Sequence, residues 1–227
     1  MTPRPLSILF VGNSYTFYNE MPAQVAGLAA NDPGAPAITT DRTVQGGASL
    51  ELHHDELGSV ERIRDGDWTH VVLQEMSTGT LHDEEDFHTY VDKLAHVARA
   101  AESEVVLYQT WARKKGHTIY LWGWSGRNPE TMVERVSEAY ERAAERLDAI
   151  VAPVGRAWAR CIEKHPRLEL YDDDLHHASP LGSHLAAAVF YVTLTGRDPT
   201  AIPYAVEGVS KEDAYALRAV AWDTARP

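Results

Sequence analysis

The sequence predicts a doubly wound α/β domain: a parallel sheet of about five strands between two layers of helices. Three observations carry that prediction. Short runs of Val, Ile and Leu, of strand length and apolar throughout, recur along the chain. Segments with apolar residues at helical spacing separate them. Alternation of this kind builds βαβ units, which place helices on both faces of a parallel sheet, a three-layer sandwich. No repeat, low-complexity tract or linker divides the 227 residues, so one domain over 1–227 is expected.

In chain order, Leu6 to Val11 is the first strand and Gly12 ends it. Met21 to Ala30 is a helix stopped by Asn31-Asp32-Pro33-Gly34. Ala37 to Val44 mixes Ile, Thr and Val and reads as the second strand, broken by Gly46-Gly47. Leu50 to Asp65 is helical at least in part, and Trp68 to Leu73 is a buried third strand. Asp83 to Ala101 opens on acidic residues and carries a stripe at Phe87, Val91, Leu94 and Val97, as an amphipathic helix does. Val105 to Tyr108 is the fourth strand. Arg113 to Asn128 has no clean period and holds Trp122 and Trp124. Pro129 opens a helix to about Leu147, Ala149 to Val154 is a short fifth strand, and Arg156 to Glu163 is helical. Helices over Leu181 to Leu194 and from Lys211 to about Ala221 complete the pattern.

Composition bounds the function. Lys+Arg 21 against Asp+Glu 33 leaves a net charge of −12, and such a surface repels phosphate backbones and anionic membranes. No nucleic-acid or membrane partner is expected. The single cysteine, Cys161, rules out an intramolecular disulfide and a cysteine zinc site, and in a helical pattern it reads as a buried, inert thiol. The opening apolar run is too short for a signal-peptide core, and no stretch reaches the ~20 apolar residues of a membrane span, so a cytoplasmic location is expected. Neither phosphate-binding glycine loop is present, and no cofactor is expected. The sequence leaves the oligomeric state open.

The chemistry-bearing residues sit at the two ends of the chain. Ligands of α/β proteins bind at the carboxyl ends of strands, where Ser14 falls just past Gly12. A helix cap is the plainer reading of Ser14. Asp174 precedes His177 by three residues, so one turn can bring the carboxylate to the imidazole, fix its tautomer and make it a base for a serine hydroxyl. His176 is spaced to face away, and Asp172 and Asp173 read as a solvated acidic turn. Arg113-Lys114-Lys115 is a local basic run in an acidic chain; attraction of a substrate carboxylate is one reading of it, and a solvated loop is the plainer one. Trp111, after the fourth strand, is a candidate pocket wall. Gly123-Trp124-Ser125-Gly126 approaches a nucleophile elbow but lacks its last glycine and a preceding strand, so Ser125 is a weak rival.

Gly12-Asn13-Ser14 resembles the Gly-Asp-Ser block of the SGNH (GDSL-like) hydrolases. Asp174-Leu175-His176-His177 resembles their closing Asp-x-x-His block, and Gln45-Gly46-Gly47-Ala48-Ser49 the block whose glycine lends an amide to the oxyanion hole. The stretches Val71 to Ser77 and Gln109 to Ala112 resemble a poorly characterised branch of that superfamily. The resemblance implies a flavodoxin-like sandwich and an esterase with Ser14, His177 and Asp174 as its triad. It implies oxyanion donors from the Ser14 and Gly47 amides, and a small-molecule ester as substrate. The superfamily's Gly-x-Asn-Asp block is missing. Gln74 is the expected substitute for its asparagine, since a glutamine amide donates the same kind of hydrogen bond, with Ser77 second. Two other classes stay open. One is a binding module on the same scaffold; the other is a metal-dependent hydrolase using His53-His54-Asp55 with Asp172 to His177, although no tight ligand spacing supports a metal.

Overall fold

A computed structural model describes residues 3–226; Met1, Thr2 and Pro227 lie outside the described residues. Five strands form one sheet: β1 (Leu6–Gly12), β2 (Ile38–Val44), β3 (His70–Leu73), β4 (Glu104–Tyr108) and β5 (Ile150–Ala152). Their order is β2-β1-β3-β4-β5 and every neighbouring pair is parallel. The helices are α1 (Ser14–Phe17), α2 (Met21–Ala30), α3 (Leu50–Asp55), α4 (Ser59–Arg64) and α5 (Gly79–His82). They continue with α6 (Glu84–Ala100), α7 (Pro129–Leu147), α8 (Val154–Lys164), α9 (Pro180–Thr195) and α10 (Lys211–Ala225). This is the three-layer α/β architecture that the alternating pattern predicts.

The two-residue period of the strands sorts the core into two halves. Ile8, Phe10, Val72, Val106 and Tyr108 face the layer built from α2, α8, α9 and α10. Leu9, Val11, Val71, Leu73, Val105 and Leu107 face α3, α4, α6 and α7. All these strand residues are essentially inaccessible to water, and each large one contributes roughly 1.5–3 kcal/mol by its burial. Helix α9 is buried nearly all round, which explains its continuous run of Leu, Ala, Val, Phe and Tyr. Among the described residues no helix is long and apolar enough to cross a membrane. Cys161 is buried in α8, and burial pushes its thiol up to about 11.

Four helices open on side chains that satisfy their first free backbone N–H groups. Asp83, Asn128, Ser179 and Ser210 cap α6, α7, α9 and α10 by accepting backbone N–H bonds. The segment expected to be helical from Leu50 to Asp65 divides into α3 and α4, because Gly58 takes a left-handed φ of 68° between them. Helix α10 runs to Ala225, past the expected end at Ala221.

Strand β1 has β2 on one side and β3 on the other, so the chain reverses its direction of winding there. Such a switch point opens a crevice at the carboxyl ends of the strands. The loops after β1, β2, β3 and β4 all converge on it.

Candidate active site

Ser14 opens α1 at the tip of β1. Gly12 makes the tight exit possible, since a Cβ there would lie 2.6 Å from both Gln74 Oε1 and Thr16 Oγ1. Asn13 caps α1 by accepting from the Tyr15 amide, while its Nδ2 donates to the Ala48 carbonyl at 2.9 Å. That one side chain therefore ties the Ser14 turn to the loop after β2. The Ser14 and Gly47 amides make no hydrogen bond among the described residues, and both residues line one cavity of about 230 Å³. Gly47 takes a left-handed φ of 73° that suits glycine.

The opposite wall comes from the turn before α9. His177 Nε2 stands 2.8 Å from Ser14 Oγ, and His177 Nδ1 stands 2.5 Å from Asp174 Oδ2. The other carboxylate oxygen accepts from the His176 and His177 amides, each at 2.9 Å. Burial pushes the Asp174 carboxyl up, but those amides and the His177 ring outweigh it and hold it well below the usual carboxylate range. An ionised Asp174 requires the proton on Nδ1, leaving Nε2 to accept from the serine hydroxyl. The Tyr18 ring stacks on His177 with centroids 4.2 Å apart at 16°. Asn19, at a left-handed φ of 51°, donates to the Ala178 carbonyl and to Ser183 Oγ, fastening the loop after α1 to α9.

The structure thus brings Ser14, Gly47, Ser77 and His177 to one cavity, with Asp174 joined to it through His177, and sets Gln74 and Trp111 apart from it. Gln74 is fully buried and turned inward. Its Oε1 accepts from the Asn13 amide at 3.0 Å and the Thr16 hydroxyl at 2.9 Å, and its Nε2 donates to the Glu75 carbonyl at 2.5 Å. It scaffolds the Ser14 turn and does not point into the cavity, so the expectation of an oxyanion donor there is corrected. Trp111 is 1% exposed, sandwiched between Tyr15 and Trp158 at centroid distances of 4.2 and 4.0 Å. It supports the floor of the site and is not a pocket wall. Ser77 lines the cavity and accepts from Arg113 Nη2 at 2.8 Å.

His176 also departs from expectation. Leu175 takes a left-handed φ of 66°, which turns the chain so that His176 Nε2 comes within 3.5 Å of Asp174 Oδ2 and the ring lines the cavity. Burial first, then the Arg113 charge, holds His176 down at about 4, which keeps it neutral. Ser125 is buried and donates to the Trp122 carbonyl, away from the cavity. Of the metal donors considered, His53 lies between Ser59 Oγ and the Gly12 carbonyl, both at 2.8 Å. Among the described residues Asp174, His176 and His177 are the one group of three donors close enough to share an ion, and they are the same carboxylate and imidazoles.

Sequence reasoning missed Tyr18 and Glu75, and it did not separate Arg113, which lines the cavity, from the two lysines that follow it. Glu75 is buried behind the cavity, accepting from the Leu50 and Met76 amides at 3.0 and 2.7 Å, and burial pushes its carboxyl up to about 7.

No family model and no curated protein matches this sequence. Solved structures do. A protein of Slackia heliotrinireducens described as an SGNH hydrolase is 31% identical, with a TM-score of 0.72 over 84% of this chain and 100% of that one. The chain belongs to the SGNH hydrolases. A DUF4886 family protein from Bacteroides uniformis shares 19% identity, with a TM-score of 0.80 over 96% of this chain and 94% of that one. A lipase/acylhydrolase from Enterococcus faecalis shares the fold at 14% identity, with a TM-score of 0.62 over 82% of this chain and 93% of that one. The latter two likenesses show the fold alone.

Proposed function

We propose that the protein is a serine esterase that cleaves small acyl esters through an acyl-enzyme. The observation that carries this is the unbroken run from Ser14 Oγ to His177 at 2.8 Å and on to Asp174 at 2.5 Å. Ser14 Oγ attacks the ester carbonyl as its proton passes to His177 Nε2. Asp174 keeps the imidazole in the required tautomer and steadies the imidazolium. The amides of Ser14 and Gly47, with the hydroxyl of Ser77, receive the negative charge that builds on the carbonyl oxygen. His177 returns its proton to the departing alcohol, and a water deprotonated by the same ring then releases the acid. A cavity of about 230 Å³ suits a short acyl group. An acetyl-xylooligosaccharide esterase from a Geobacillus species has the same fold at 13% identity, and acetyl groups on carbohydrates fall within the proposed range.

Labelling with a fluorophosphonate tests the reading directly. The wild type should be labelled at Ser14 and should turn over p-nitrophenyl acetate, and Ser14→Ala should lose both while melting at the same temperature. An unlabelled wild type, or an active Ser14→Ala, would remove Ser14 from the reaction.

A further inference from the structure

The cavity beside Ser14 is lined by an arginine whose charge no carboxylate among the described residues answers. Arg113 follows β4, in the basic run whose plainer sequence reading is a solvated loop. The run divides in the fold. Lys114 pairs with Glu169 at 2.5 Å and Lys115 is exposed, whereas the Arg113 side chain lines the cavity with Ser14, Gly47, Ser77 and His176. Its Nη1 donates to Tyr15 Oη at 2.6 Å and its Nη2 to Ser77 Oγ at 2.8 Å. Its Nε is buried without a partner.

Many arginines of this acidic chain pair with carboxylates. Arg42 holds Glu20, Arg146 holds Asp92, Arg156 holds Glu141 and Arg197 holds Asp32. Of the described ones that do not, Arg218 is the other one removed from solvent, and its donors are met by His184 and the Ile202 and Tyr204 carbonyls. Among the described residues Arg113 forms no ion pair. Both of its partners are neutral: burial pushes the Tyr15 phenol up to about 12 although Arg113 works against it, and Ser77 does not titrate. Asp174, the carboxylate of the neighbouring turn, is already engaged by His177 and two amides. Next to burial, the Arg113 charge is what holds both His176 and His117 below the usual histidine range, so it is felt across the cavity.

A half-buried guanidinium that lines a cavity without a counter-charge is costly to maintain unless an anion completes it. Its planar fork matches a carboxylate. We propose that Arg113 recognises a carboxylate on the substrate, so that the enzyme cleaves compact esters carrying a negative charge. The proposal rests on Ser14 being the nucleophile. The net charge of −12 repels anions at a distance, so this selectivity is local to the cavity.

Two matched pairs of esters test it and distinguish which side of the ester bears the charge. Mono-p-nitrophenyl succinate against p-nitrophenyl butyrate places the carboxylate on the acyl side; 3-acetoxybenzoate against phenyl acetate places it on the alcohol side. In one pair the wild type should favour the charged member in kcat/KM by about 10- to 100-fold, the size of a charge-assisted hydrogen bond. Arg113→Gln should bring that ratio close to one, with Arg113→Lys between. A wild-type ratio at or below one in both pairs, or a ratio that Arg113→Gln leaves unchanged, overturns the proposal. Should Arg113→Gln not fold, the wild-type ratios and competitive inhibition by glutarate against glutaramide decide; equal inhibition by the two counts against it. Fluorophosphonate labelling keeps the two readings apart. An unlabelled Ser14 defeats the esterase reading, while a labelled Ser14 without carboxylate preference defeats only the arginine.

Discussion

Gln74 and Ser77 follow the same strand and are alike as amide and hydroxyl donors, but alanine at each position should do opposite things. Gln74→Ala removes the acceptor of the buried Asn13 amide and the donor to the Glu75 carbonyl. Leaving a buried backbone group unpaired costs roughly 1–3 kcal/mol, so two such losses come to about 2–6 kcal/mol. In a domain of this size that lowers the melting temperature by roughly 10 °C. Ser77→Ala removes a hydroxyl at the cavity wall and its contact with Arg113, with little change in stability. It should reduce kcat by about 10²-fold, the usual loss for one oxyanion donor. Thermal melts and p-nitrophenyl acetate kinetics on both variants make the comparison. A Gln74→Ala protein that melts like the wild type yet loses ~10² in kcat would refute the assignment of Gln74 to the scaffold.

His177→Ala should abolish esterase turnover while His176→Ala keeps most of it, because His177 touches Ser14 and His176 stands beside Asp174; steady-state kinetics on the pair would reverse the roles if the losses were exchanged. Asp32 accepts from Arg197 and Tyr191, and its carboxyl is lowered to about 2, with the Arg197 hydrogen bond the largest cause and burial opposing it. A depressed carboxyl stabilises the fold above its unfolded value of 3.8, and the gain is lost as pH falls towards 2. Asp32→Asn should therefore cost about 1–2 kcal/mol in urea unfolding at pH 7, Arg197 being partly exposed, and almost nothing near pH 2; a pH-independent difference would contradict the ion pair.

What the sequence makes legible follows from how local each determinant is. That Ser14, Asp174 and His177 meet is readable from strand-end position, a three-residue spacing and the resemblance of both short stretches to family blocks. The layer order is readable because strand and helix periods alternate without ambiguity. Gln74 is not, since whether it faces the cavity or the interior depends on an amide 61 residues earlier in the chain. Trp111 is hidden for the same reason: Tyr15 and Trp158, on other elements, close over both of its faces. His176 depends on the φ of Leu175, a left-handed conformation that leucine gives no reason to expect. Arg113 is lost among neighbouring basic residues, because a charge run carries no sign of which member turns inward.

Ser14 and His177 meet across a separation of 163 residues, and Asn19 clasps the same two regions from the side. Neither half of the chain can hold the reacting pair alone. On the proposed mechanism, recovery of ester cleavage should therefore be a late event in refolding, arriving after most helical signal has returned, since contacts so distant in sequence carry the largest closure entropy. The proposed turnover would then double as a report on whether the turn before α9 has docked against the turn after β1.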